Sequence, residues 1–278
     1  MRRILLAGCL CGLVVPAVLA TSLGREPAPG PPSSGAAAHS ARQLAPTHDV
    51  STHRGRSLAG KVLVIDPGHQ LGNSTHLRQI NRLVNGGGFL KPCDTTGTAT
   101  NAGFPEATFT WRVALALRHQ LVTHGATVYM TRYTNDYEHW GPCVDVRGRK
   151  GNTLHADAVI SIHGDGAVSS VHGFFVIMPA DRRGWTHDIF RSSHRYGRKV
   201  RTALVRAGAR VSTSYGGDGL DTRGDLATLN WSNVPVVLVE MGNMRNALDA
   251  RHMTSRWYRS HVYARGLRMG IANFVLHR

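Results

Sequence analysis

Residues 61–73 read KVLVIDPGHQLGN. Four consecutive apolar residues, Val62 to Ile65, run into Asp66, Pro67, Gly68 and His69. A short unbroken apolar run bounded by turn residues is the signature of a strand buried on both faces. Proline and glycine end it, so His69 is held at a strand end. A chain that opens with such a strand needs further strands to pair with it and helices to cover it.

The chain supplies both. Residues 70–103, rich in Gly, Asn and Thr, read as one long loop. The stretch FPEATFTWRVALALRHQLVTHG (104–125) is helical, with Phe109, Val113, Ala116, Leu117 and Leu121 on one face. Pro105 suits its start and Gly125 its stop. Strands are expected at 127–132, 157–163, 173–178, 225–230 and 234–240. Helices are expected at 145–155, 187–208 and 256–275. Alternation of this kind predicts an α/β fold: a single domain with a largely parallel sheet flanked by helices. In such sheets ligands sit beyond the carboxyl ends of the strands. His69 closes the first strand, His163 the third and Glu240 the last, so three distant polar residues are expected at one edge.

Of 278 residues, 42% are hydrophobic and the formal net charge is +16. The apolar share argues against global disorder. The charge points to polyanionic surroundings without choosing among nucleic acid, anionic lipid and anionic wall polymers. The N-terminus chooses a compartment. MRRILLAGCLCGLVVPAVLATS has two arginines, an apolar run and small residues at its end, which predicts a signal peptide over 1–20 cleaved after Ala20. The run is short for a membrane span, so no transmembrane segment is expected in the mature chain. LAGC (6–9) also resembles a lipoprotein box, but few apolar residues precede Cys9. Export argues against nucleic acid as a partner. Residues 21–59, rich in Pro, Ser, Ala and Gly, read as a disordered tether, and 60–278 as the folded domain. Cys9 and Cys11 leave with the leader. Cys93 and Cys143 remain, an even pair in an oxidising compartment, and are expected to form a disulfide.

Two histidines and a carboxylate with an open fourth position make a catalytic zinc site. His69 and His163 are the candidate histidines. The glutamates are Glu26, Glu106, Glu138 and Glu240. Glu26 lies in the tether and Glu138 in a loop. Glu106 opens a helix, where the helix dipole alone would favour an acid. Glu240 ends an apolar strand, where an acid is costly unless partnered. His76 and Asp165 lie close enough in sequence to stand in for a ligand. Asp66 suits the turn after its strand or a supporting role behind it, and Asn243 and Asn246 suit helix caps.

The set IDPGH, an acid opening the next helix, SIHGD and VVLVEMGN, in that order, resembles the zinc-dependent N-acetylmuramoyl-L-alanine amidases of the Amidase_3 family, from about Val62 to Phe274. The cysteine-bearing loop is similar to those of actinobacterial members. The resemblance implies a mixed, mainly parallel sheet flanked by helices. It places zinc ligands at His69, Glu106 and His163 and the catalytic glutamate at Glu240. It implies cleavage, in peptidoglycan, of the amide between N-acetylmuramic acid and the first L-alanine of the stem peptide. Many members follow the second histidine with Ala-Asn, where this chain has Gly164 and Asp165.

Other readings fit less well. GRSLAGKV (55–62) lacks the Ser/Thr of a phosphate loop and precedes a strand instead of following one. There is no G-x-S-x-G elbow and no H-E-x-x-H pair. A zinc peptidase acting on peptidoglycan stems, or a silent wall-binding module of the same fold, remain as alternatives. The protein is expected to be a monomer, with anionic cell-wall polymers as possible further partners, placed outside the membrane in the wall, periplasmic or extracellular space.

Overall fold

A computed structural model describes residues 57–277. The leader at 1–20 and most of the tether at 21–59 lie outside the described residues. Leu58 is already part of the core, and its N–H donates to His124 O at 2.7 Å. Packed structure therefore begins before residue 60.

In chain order the elements are β1 (Val62–Pro67), a 3-10 turn (Leu71–Thr75), α1 (Leu77–Ile80), β2 (Leu83–Asn85), β3 (Leu90–Pro92), α2 (Glu106–Thr123), β4 (Thr127–Met130), α3 (Val144–Thr153) and β5 (Ala158–Asp165). They continue with β6 (Phe175–Pro179), α4 (Phe190–Arg206), β7 (Leu220–Arg223), α5 (Ala227–Asn230), β8 (Val236–Asn243), α6 (Ala247–Thr254) and α7 (Arg256–Tyr258). A π-helical turn (Arg259–Ala264) then runs into α8 (Arg265–Val275).

The main sheet has the order β4-β1-β5-β8-β6-β7. All pairings are parallel except β6 against β8, so the sheet is mixed and mainly parallel, as expected. One face is packed by Phe109 and Leu117 of α2, Tyr196 and Val200 of α4, and Leu267 and Ile271 of α8. The other carries a smaller cluster in which Val64, Val159, Ile177 and Leu238 meet Leu229 of α5. β1 and β5 are buried almost throughout, which is why their sequences are continuous apolar runs.

Two expectations are corrected. Residues 225–230 hold no strand: Ala227–Asn230 form α5, with Leu226 at its N-cap. A six-residue stretch with three apolar residues (DLATLN) is ambiguous between the two periods, and Leu226 and Leu229 sit at helical spacing. The strand there is β7, LDTR, an edge strand whose mixed polarity hid it. Residues 70–103 are not a featureless loop: they hold the 3-10 turn, α1 and the β2–β3 hairpin. The hairpin lies on the surface with Leu83 and Leu90 exposed, so it shows no core-facing alternation. Its turn is built locally, with Asn85 Oδ1 accepting from Gly87 and Gly88 N–H at 2.8 and 2.9 Å. Trp231 Nε1 donates to Asn85 O at 2.6 Å and holds the hairpin down. Cys93 and Cys143 are disulfide-bonded, joining the end of the hairpin to the start of α3.

Candidate metal centre and active site

The Asp-Pro-Gly-His turn aims His69 inward at a conformational cost. His69 has φ +57°, a left-handed backbone uncommon for a residue with a side chain. Two arginines hold the turn. Arg147 Nη2 donates to His69 O at 2.8 Å, and Arg132 Nε to Pro67 O at 3.1 Å. Arg132 Nη2 also reaches Ala107 O at 2.7 Å, tying the turn to the first turn of α2, which carries Glu106. Gly68 leaves room for the second imidazole: a Cβ there would lie 2.4 Å from the His163 ring.

His163 comes from β5 and Glu240 from β8, and the two are direct register partners. Both strands run on past them, to Asp165 and Asn243. Neighbours in parallel register project from the same face, so the strands set these side chains next to each other.

His69, Glu106 and His163 converge. Glu106 Oε1 lies 3.2 Å from His69 Nε2 and 3.0 Å from His163 Nδ1. One ligand atom from each of the three lies within 4.8 Å of the others. The other Glu106 oxygen accepts from Thr98 N at 2.9 Å. His69 Nδ1 faces Asp94 Oδ1 at 3.2 Å and Thr95 O at 3.1 Å, so Nε2 is the nitrogen presented to the cavity. A histidine ligand anchored through its other nitrogen is the usual supported arrangement of a metal site. The three donors fit a zinc-type ion: two imidazoles, one carboxylate and an open side toward the cavity.

The charges fit as well. Burial acts to raise the Glu106 pKa, but the charge and hydrogen bonds of the two histidines outweigh it and hold the carboxyl well below its usual range. Burial acts to lower His69, yet the Glu106 and Asp94 carboxylates raise it well above the ordinary imidazole range. Glu240 behaves oppositely. Burial, then the charges of Glu106 and Asp165, push it well above the ordinary carboxylate range. Its Oε2 is shielded from solvent and has no hydrogen-bond partner among the described residues. An orphaned buried carboxylate oxygen beside three converging donors is what a proton-transferring group awaiting substrate looks like.

Behind the site lies a network that the sequence reading missed. Arg147, buried in α3, donates to Asp66 Oδ1 at 2.9 Å and to Asp94 Oδ2 at 3.1 Å. Ser161 Oγ donates to Asp66 Oδ2 at 2.7 Å. Asp66 thus supports the site from within and is more than a turn residue. Asp94 lies beside a half-cystine in what read as loop, and Arg147 is one of many arginines, so neither stood out.

The stand-ins do not join the cluster. His76 Nδ1 is taken by Gly72 O at 2.8 Å, and Asp165 Oδ2 accepts from Tyr215 Oη at 3.1 Å. Asn246 caps α6, as expected. Asn243 caps no helix: its Nδ2 donates to the carbonyls of Ala167, Val168 and Val171 and fastens the loop after β5. The four residues His69, Glu106, His163 and Glu240 line a single cavity of about 360 Å³. Its walls are apolar at Ile177, Leu226 and Leu238.

Three converging donors and a fourth, unpartnered carboxylate in one cavity at the edge of a mainly parallel sheet fit a metal-assisted hydrolase. The chain belongs to the N-acetylmuramoyl-L-alanine amidase family, Amidase_3, whose family model matches residues 63–273. It is 37% identical over 219 residues, 79% of this chain and 88% of the relative, to N-acetylmuramoyl-L-alanine amidase Rv3717 of Mycobacterium tuberculosis. The fold is similar to that of the amidase Ami1 of Mycobacterium smegmatis, with TM-score 0.74 and 35% identity, covering 80% of this chain and all (100%) of that one. Ami1 of Mycobacterium abscessus is similar too, with TM-score 0.72 and 41% identity over 78% of this chain and 100% of its own. That these relatives are mycobacterial fits the actinobacterial type of the resemblance.

Proposed function

We propose that the protein is a secreted, zinc-dependent peptidoglycan amidase that cleaves between N-acetylmuramic acid and L-alanine, with His69, Glu106 and His163 holding the metal and Glu240 moving the proton. The observation that carries this reading is the orphaned Glu240 Oε2 beside the three converging donors.

A zinc ion held there would supply Lewis acidity, enough in comparable sites to bring the pKa of a water to about 7 and to polarise a carbonyl. The chain's own residues do the rest. With a divalent ion bound, Glu106 would contribute one negative charge and the imidazoles, having given up any extra proton to bind it, none, so the centre would stay net positive. Asp94 fixes the His69 ring. Glu240, whose burial beside Glu106 and Asp165 makes its carboxylate a stronger base than an ordinary one, would accept a proton from the attacking water and deliver it to the departing amide nitrogen. Such a role contributes about 10²–10⁴-fold.

No helix among the described residues is long and apolar enough to cross a membrane. We place the leader at 1–20 and a tether up to the fold, which suits a protein acting on the wall. The exposed side of α4 carries Arg191, Arg195, Arg198 and Lys199, and the helix contains no acid. This face supports binding to anionic wall polymers, and added salt is expected to weaken it.

The test is mass spectrometry of muramyl dipeptide and of a longer muropeptide after incubation with zinc-loaded protein, beside an EDTA-treated control. Release of a free peptide and intact N-acetylmuramic acid, abolished by EDTA, is expected. Cleavage between amino acids would instead mark a peptidase, and zinc binding without cleavage a binding module.

A further inference from the structure

The active-site cavity extends away from the metal donors along the sheet. Glu240 pairs with Phe175 on β6, and Arg223 of β7 pairs with Pro179, four residues further along β6. That separates the two positions by about 13 Å of strand. Between them the floor is Ile177 and Leu238, and beyond them the lining ends in Arg223 and Lys91. Lys91 comes from β3, so the hairpin completes this end.

The two cations are incompletely paired. Arg223 binds Asp225 through Nε at 2.9 Å and Nη2 at 2.6 Å. Among the described residues nothing accepts from its Nη1. Lys91 Nζ donates at an exposed position to the main-chain carbonyl of Asp225 at 3.3 Å, and the Asp225 and Asp94 carboxylates act on it by charge without a direct contact. Asp221 adds a more distant negative charge on the same strand. Two cations on one cavity wall, only one of them in a salt bridge, offer donors that an anion can use in charge-assisted hydrogen bonds. The cavity therefore has carboxylates and the candidate metal donors on one part of its wall and the cations Arg223 and Lys91 on another, over an apolar floor.

We propose that Lys91 and Arg223 form a carboxylate-binding subsite for the stem peptide, selecting substrates with a free carboxylate roughly two to three residues beyond the scissile amide. The proposal rests on the reading above that the scissile carbonyl lies beside Glu240. The two positions are also two strand spacings apart across β6, and the resulting diagonal of about 16 Å, less the reach of an arginine side chain, matches an extended peptide of that length. The apolar floor would take the aliphatic parts of the stem.

The test uses the zinc-loaded full protein and two N-acetylmuramyl tripeptides, one with free carboxylates on its second and third residues and one with both amidated. The unaltered protein is expected to cleave the acid form with kcat/KM at least about tenfold higher, as befits one charge-assisted contact pair. The K91M/R223Q double variant is expected to bring that ratio close to one, through KM for the acid form. R223K is expected to restore part of it. A misfolded fraction would lower both substrates equally and leave the ratio unmoved, so the ratio reads the subsite alone. Equal cleavage of both forms by the unaltered protein, or an unchanged preference in the double variant, overturns the subsite and leaves the amidase reading standing. Cleavage of neither form overturns both.

Discussion

Asp94 Oδ1 lies 3.2 Å from Nδ1 of His69, which leaves Nε2 facing Glu106 at the same distance. Asp94 is itself gripped by Arg147, and Arg147 by Asp66. The metal donors therefore rest on a buried chain of charges, and the consequences can be measured link by link.

Replacing Asp94 by Asn removes the charge behind His69 while keeping a group of similar size. Metal affinity is expected to fall about 10–100-fold, the usual cost of losing such a partner. Competition against a fluorescent zinc chelator measures it, and unchanged affinity would reduce Asp94 to a loop residue.

Glu240→Gln is expected to retain the metal and lose about 10²–10⁴-fold in kcat. Metal content by atomic emission, beside turnover of a muropeptide, separates the two properties. A variant that keeps full turnover removes Glu240 from the chemistry.

Arg147→Met leaves Asp66 and Asp94 buried without their common partner. Removing one member of a buried ion network costs about 3–5 kcal/mol, so urea denaturation is expected to show a much lower midpoint. Restoring balance with Asp66→Asn in the same chain is expected to recover part of the loss.

Acid stability follows from Asp66. Burial alone would raise its pKa, but Arg147 and the hydroxyls of Thr131 and Ser161 together lower it. A carboxyl with a depressed pKa in the folded state stabilises fully above its unfolded value, about 3.9. That contribution fades as pH falls from there through the folded value. Asp66→Asn is thus expected to be less stable near neutrality, with the gap to the parent narrowing below about pH 4. Denaturation midpoints from pH 7 to pH 2 test the sign; a gap that widens on acidification would contradict it.

The Cys93–Cys143 bridge spans 50 residues. Closing such a loop stabilises by about 4 kcal/mol in the chain-entropy picture. Because Cys93 adjoins Asp94, the C93S/C143S double variant is expected to lose zinc affinity as well as thermal stability. Loss of stability with zinc affinity intact would separate the bridge from the site.

Much was legible in the sequence because two periodicities and four short motifs carried it. The buried strand ending in His69, the helix opening at Glu106 and the apolar strand bearing Glu240 each follow from local pattern, since burial on both faces and helical spacing leave direct marks on residue choice. The cysteine pair was readable from export. What local pattern could not supply was register. That His163 and Glu240 stand side by side depends on how β5 aligns with β8. The strand β7 went unread and the helix α5 was read as a strand because short segments of few apolar residues satisfy either period. The partners of Asp66 behind the site were invisible for a different reason. Asp66, Asp94 and Arg147 are separated by up to 81 residues and meet only when β1, the hairpin loop and α3 pack together. Lys91 and Arg223 came to one cavity end in the same way. The sequence by itself determined which residues could do the chemistry. Only the tertiary structure decided which of them share one low-dielectric space, because electrostatic partnership depends on distance and burial, and neither is a property of neighbours along the chain.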